Sequence, residues 1–341
     1  MRRFLVPALF TTLFGAVAVT LLNVTVDPFG VWRPASTPLS LWVTRDASYA
    51  RLAKAHWLRN RSPDLVLLGN SHAGAAFTAE QFQRHGLAQA PFNFSLVGAS
   101  IAEMLATMQH AHFVAGTRRF VVTVDLLNWR TRPAGSETAV AMARGEGIYQ
   151  QLFHLRNFAT TTFSLDATLR SLLFLRSGYI PTHRADGFAL RCEDNPANWS
   201  RLLRSSRLRR NQFMEQRTQW LAGTAQQQAA FAEMLAFARE QDLQLLLVIP
   251  PFHVSYYYAM QAAGLWEQHL ALLGHVVGEA HAPDNRERVR VVDFSLPNAF
   301  TLVAPDSPGT AGDQPLAWWV NADHFDCALG ERIVATLADA S

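Results

Sequence analysis

Three short apolar runs constrain this chain most: DLVLL at 64–68, FVVTVDL at 120–126 and LQLLLVI at 243–249. None alternates apolar with polar, as a strand with one wet face would. Uninterrupted runs rich in Val, Leu and Ile suit strands covered on both faces, as in a parallel sheet. FNFS at 92–95 and VRVVD at 289–293 complete five strand candidates. Helical patterns lie between them. Residues 100–116 open with Ser100 and Glu103 in capping-box spacing, and Ile101, Met104, Leu105 and Met108 follow at helical intervals. Phe231, Met234, Leu235 and Ala238 repeat the pattern within 225–240, and 327–338 is a further short amphipathic helix. Strands alternating with helices predict an α/β domain of three layers, α/β/α, around a mostly parallel five-stranded sheet.

The amino terminus belongs to a different class. Arg2 and Arg3 precede about twenty uncharged, mostly apolar residues up to Val26, long enough to cross a bilayer. The arginines would stay cytoplasmic and everything after Asp27 would lie on the other side. The run exceeds a usual signal-peptide core, and no small-x-small cleavage site follows it, so an uncleaved anchor is preferred to a cleaved signal. This divides the chain into an anchor (1–26), a Pro-rich lead-out (27–60) and an α/β domain (61–341). Residues 130–222 interrupt the strand–helix rhythm and predict an insertion, helical and irregular, over one end of the sheet. Its run RLLRSSRLRRNQF is basic; a solvated helix face is the plainer reading, a grip on an anionic polymer or lipid headgroups the sharper one.

With 341 residues, 49% of them hydrophobic, the chain can build a substantial core. The formal charge of +3 does not point to nucleic acid, and Lys54 is the only lysine. Cys192 and Cys327 are the only cysteines. They could pair in an oxidising compartment or remain two separate thiols. Neither has the spacing of a metal site, and no cofactor or metal is expected.

Ligands of open parallel sheets gather beyond the carboxyl ends of the strands. At those exits stand Ser71 in LLGNSH, Gly98 in FNFSLVGASIAEM and Asn128 in DLLNW, and His324 in NADHF precedes the last helix. Ser, Gly, Asn and His in this order resemble the four marker blocks of the SGNH (GDSL-like) hydrolase superfamily, over about residues 60–130 and 240–338. The resemblance implies a flavodoxin-like fold, Ser71 as nucleophile, His324 as base, and Gly98 N–H and the Asn128 amide as oxyanion donors beside the N–H of Ser71. Chemically this is coherent, because a serine hydroxyl needs a base to take its proton. Each donor aimed at the tetrahedral oxyanion contributes roughly 2.7–4 kcal/mol in comparable sites. The anchor followed by VDPFG, VIPPFH after the fourth strand, and VVDFS are similar to membrane-anchored envelope proteins related to alginate-type O-acetyltransferases.

One position departs from that pattern. The acid three residues before the histidine is replaced by Asn321. An amide accepts a hydrogen bond but brings no charge to an imidazolium, and in a related triad that change costs roughly 10⁴ in turnover. Asp323 could do the orienting, Asp293 or Asp125 could reach the imidazole from strand ends, or the pair could act alone. His72 reads as a structural neighbour or pocket wall, and His110, His112 and His253 as structural. Asp326 and Asp323 compete as caps of the last helix.

The resemblance then implies an extracytoplasmic acyl-ester enzyme on a bacterial inner membrane. It would transfer an acyl group, usually acetyl, to a cell-envelope polysaccharide, or remove one. A multi-pass membrane protein would supply the acyl donor for transfer. The rival from another class is an inactive scaffold or carbohydrate-binding subunit of the same shape.

Overall fold

The computed structural model describes residues 2–32, 47–59, 61–130, 148–177, 186–188, 198–302 and 316–340. The first elements are α1 (Arg2–Val26), α2 (Ala47–Arg59), β1 (Leu65–Leu68), α3 (Ser71–Ala76), α4 (Ala79–Arg84) and β2 (Pro91–Asn93). Next come α5 (Ile101–Ala115), β3 (Arg119–Thr123) and a 3₁₀ turn (Leu126–Trp129). Four helices follow: α6 (Ile148–Thr162), α7 (Leu165–Ser177), α8 (Trp199–Glu215) and α9 (Arg217–Glu240). The chain finishes with β4 (Gln244–Ile249), α10 (Val254–Ala262), α11 (Trp266–His281), β5 (Val289–Asp293) and α12 (Cys327–Ala340).

The five strands form one sheet in the order β2-β1-β3-β4-β5, every neighbouring pair parallel. That is the flavodoxin-like order. The unbroken apolar runs have a direct cause. Successive residues of β1 enter opposite layers: Val66 and Leu68 pack with Met104, Met108, Phe231 and Met234, whereas Leu65 and Leu67 pack with Phe82, Ile333 and Leu337. Both faces are dry, so neither set can be polar.

Local sequence explains the boundaries. The third strand ends at Thr123, short of the expected 126, because Asp125 turns the chain: its carboxylate accepts from Leu127 N at 2.7 Å while Asn128 Oδ1 accepts from Asp125 N at 2.8 Å. Ser100 caps α5 by accepting from Glu103 N at 3.3 Å. Glu103 does not complete the capping box; its carboxylate pairs with buried Arg51, Nη2 to Oε2 at 3.0 Å.

Within the stretch expected as an insertion, α6, α7 and α8 are all helical. Helix α9 starts there too but continues unbroken to Glu240 and carries Phe231, Met234 and Leu235 into the core. The basic run forms α8, capped by Asn198, whose Oδ1 accepts from Arg201 N at 2.9 Å. One face of that helix is packed rather than solvated, with Leu202 and Phe213 fully buried. The lead-out beyond Trp32 lies outside the described residues as far as Asp46, as does Cys192. Cys327 is disulfide-bonded, and Cys192 is the chain's only other cysteine.

Candidate active site

At the carboxyl end of β1 the chain reverses into α3. Asn70 caps that helix, its Oδ1 accepting from His72 N at 2.9 Å, and its Nδ2 donates to Asp125 Oδ2 at 2.7 Å. The cap therefore ties the exit of β1 to the exit of β3. Ser71 follows as the first helical residue, half-buried.

The final block arrives from the far end of the chain. Asn321 folds it into a tight turn, its Oδ1 accepting from Asp323 N at 2.9 Å and His324 N at 2.8 Å. Asp326 caps α12, accepting from Leu329 N at 2.9 Å. Helix α12 then lies directly on α3: a Cβ at Gly330 would stand 2.1 Å from the Ala76 carbonyl oxygen, so only glycine permits the approach. Gln81 Nε2 adds a bond to Cys327 O at 3.0 Å. Together these contacts bring His324 Nε2 to 3.0 Å from Ser71 Oγ, although the two residues are 253 positions apart.

The other face of the imidazole meets two acceptors. His324 Nδ1 lies 3.2 Å from Asn321 Oδ1 and 3.5 Å from Asp323 Oδ1. The amide takes the hydrogen bond and so selects the tautomer with the lone pair on Nε2, facing the serine. The carboxylate supplies charge from slightly further away. Asp323 is in turn held by Arg209, which reaches it from α8, and by His72 Nε2 at 3.6 Å.

His72 occupies the centre of this cluster. Its ring is buried, with Nδ1 3.0 Å from Asp125 Oδ2, 4.8 Å from the His324 ring and 5.0 Å from Phe252. Burial opposes its charged form. The hydrogen bond and charge of Asp125, and then those of Asp323, outweigh burial and raise its pKa to about 9. At neutral pH His72 is thus an imidazolium joining two carboxylates. For Asp323, burial works towards neutrality, but the close imidazoles of His324 and His72 and the charge of Arg209 hold it well below the usual carboxylate range. The acid beside the base stays ionised.

The remaining expected residues are placed as follows. Gly98 sits in the turn after β2 with φ +66, a left-handed conformation that glycine adopts without strain. The segment leading to it runs beside the β1 exit, Leu96 N donating to Gly69 O at 3.0 Å. Asn128 is fully buried and aims its amide at the backbone, Nδ2 donating to Ala99 O at 2.8 Å. Asp125 meets His72 rather than His324, and Asp293 closes its own turn, accepting from Ser295 N at 2.7 Å. His110 and His112 bond backbone carbonyls, and His253 caps α10.

His72, Asp323 and His324 could each offer one ligand atom within 4.8 Å of the others, the spacing of a metal site. The charge around them argues against that use. Arg209 already pairs with Asp323, so the one carboxylate of the three has its charge balanced by a side chain. A cavity lined by Leu65, Arg119, Gln244 and Arg288 opens at the amino-terminal edge of the strands, the wrong end for Ser71.

Two members of the cluster were not legible as such. His72 was visible as the residue after Ser71, but nothing local announces two carboxylate partners. Arg209 was one arginine among several in a basic run, 114 residues from Asp323.

No family model matches the chain, and no curated protein does. Among solved structures, the chain is similar to a presumed acylhydrolase from Bacteroides fragilis, with 9% identity, a TM-score of 0.38, and coverage of 82% of this chain and 86% of that one. A likeness of that size carries no argument about activity, which rests on the side chains.

Proposed function

We propose that the protein is a serine-dependent acyl-ester enzyme. One observation carries this: the Ser71 hydroxyl and the His324 imidazole, from opposite ends of the domain, meet at 3.0 Å at the carboxyl rim of a parallel sheet. His324 Nε2 takes the Ser71 proton as Oγ attacks an ester carbonyl, giving a tetrahedral oxyanion and an imidazolium. The ionised Asp323 and the Asn321 acceptor favour that imidazolium. Its proton passes to the departing alcohol, leaving an acyl-serine. The acyl group then goes to water or to a sugar hydroxyl, with His324 again taking a proton. Backbone N–H groups at Ser71 and Gly98 are the sensible oxyanion donors; the Asn128 side chain is fully buried, with its oxygen on Asp125 N and one amide hydrogen on Ala99 O.

The finer reading follows the SGNH-like order of Ser71, Gly98, Asn128 and His324. Helix α1 holds one span of 23 mostly apolar residues, Phe4–Val26, fit to anchor the domain outside the cytoplasm. An anchored acyl enzyme there suits O-acetyl transfer to, or removal from, an envelope polysaccharide, with a multi-pass protein presenting the acyl donor for transfer. The inactive-scaffold reading draws on Asn321, yet the side chain there accepts from the imidazole and Asp323 supplies a charge at 3.5 Å.

The test is labelling of the detergent-solubilised full chain by a fluorophosphonate probe, beside Ser71→Ala and His324→Ala. Expected are a labelled parent and loss of essentially all labelling in both variants. A folded parent that does not label would establish the scaffold instead. Product analysis with an acetyl donor and an oligosaccharide acceptor separates transfer from hydrolysis.

A further inference from the structure

Helices α6 and α7 form a hairpin against the carboxyl end of α1, and α7 is built inside out. Leu165, Leu169, Leu172 and Leu173 recur at helical spacing on one face and are 51–76% exposed. The opposite face carries Ala167 and Ser171, both fully buried. The hairpin's inner contacts are polar. Asn23 of α1 is buried, donates through Nδ2 to Thr162 O at 2.9 Å and to Thr168 Oγ1 at 3.1 Å, and accepts from Ser171 Oγ at 2.8 Å. Phe158 and Phe163 extend the outward apolar surface, at 43% and 54% exposed.

In water this arrangement has the wrong sign, because leucines gain nothing by facing solvent while hydroxyls are turned inward. In lipid it has the right one: small and hydroxylated residues pack between helices, an amide bonds across them, and leucines face acyl chains. Depth agrees. Asn23 lies nineteen residues beyond Phe4, about 28 Å along the helix, at the far edge of a hydrocarbon layer about 30 Å thick. At 15 and 13 residues, α6 and α7 are too short to span it. Arg176 follows the leucines in the last turn of α7, where headgroups would lie.

We infer that the α6–α7 hairpin is a membrane-surface element, its leucine face immersed in the acyl-chain boundary of the leaflet through which α1 leaves the bilayer. The inference rests on α1 being an anchor. It makes the hairpin a second point of attachment, fixing the domain's orientation to the membrane as well as its tether.

The test uses the full chain in phosphatidylcholine–phosphatidylglycerol vesicles, with the fluorophore NBD on Leu173→Cys, Phe10→Cys or Leu270→Cys, the last an exposed site on α11. The parent chain sets the labelling background. At Leu173, nitroxide lipids labelled near the headgroups should remove more than about half of the emission, since such faces sit ~5–10 Å into that boundary, and iodide should have little effect. Leu270 should behave in the opposite way, and Phe10 should respond to nitroxides deep in the chains. Iodide quenching at Leu173 like that at Leu270 would overturn the proposal. Protection from both quenchers would also overturn it, showing a second copy or another protein on the face. If Phe10 is quenched and Leu173 is not, the hairpin reading alone fails; if Phe10 is not quenched, the anchor reading fails and the hairpin reading with it.

Discussion

The rim of the sheet and the bundle around α1 solve the same problem in opposite directions. Beside the sheet, α5 turns Met104 and Met108 into the core, and the polar side chains it buries there are each partnered, Glu103 by Arg51, Thr107 by the Glu103 carbonyl and His110 by the Ala55 carbonyl. Around α1 the polar atoms are inside, gathered on Asn23, and the leucines of α7 look outward. The same helical period thus buries an apolar face in one region and a polar face in the other, a difference that the membrane-surface proposal accounts for by two solvents.

The first way to sharpen the comparison is at the rim. Asp323→Asn removes the charge next to His324 and leaves Arg209 and His72 without their shared partner. Because Asn321 still selects the tautomer, turnover on an activated ester should fall about 10²-fold, within the range for impaired general-base assistance and short of a full triad lesion. A rate within twofold of the parent would remove Asp323 from the chemistry.

Next comes the pH dependence of the buried ion network. His72 has a folded pKa raised to about 9 from an ordinary 6.5. The stability it contributes is complete below about 6.5 and is lost as pH climbs through 9. The change should be on the order of 2–3 kcal/mol. Urea unfolding between pH 6 and 9.5, in detergent, should show that decline in the parent and a flatter profile in His72→Gln. Equal slopes would mean that His72 is not the titrating centre.

The smallest effect belongs to the bundle. Replacing Asn23 by Leu removes three interhelical hydrogen bonds but adds apolar surface in a place where apolar surface is tolerated. The cost should be about 0.5–1.5 kcal/mol, read as increased proteolysis of the α6–α7 hairpin in vesicles with esterase turnover unchanged. A loss of several kcal/mol would mean that the bundle packs by the rules of a water-soluble core.

Much of the α/β frame was legible because its cause is local. Two-sided burial removes polar residues from strands, and the five expected strands match β1–β5 to within a few residues. Ser71 and His324 could be singled out because strand exits and the mouth of the last helix are positions a sequence marks. What stayed hidden is long-range. The partner of Asp323 is an arginine whose run reads as a solvated face, and His72 gains its charge from carboxylates 53 and 251 positions away along the chain. Asn128 was expected as an oxyanion donor, yet its oxygen accepts from Asp125 N and its amide donates to Ala99 O. The inverted face of α7 was present in LDATLRSLLFLRSG, but direction cannot be read from spacing: period 3.6 says that leucines share a face, not which solvent the face meets.

The 253 residues between hydroxyl and imidazole also set a clock. At roughly 5–20 residues per second, a growing chain holds Ser71 for about 10–50 s before His324 has been made. Throughout that interval its serine is an ordinary alcohol. Under the proposed mechanism, reactivity can begin only once α12 settles on α3 through Gly330.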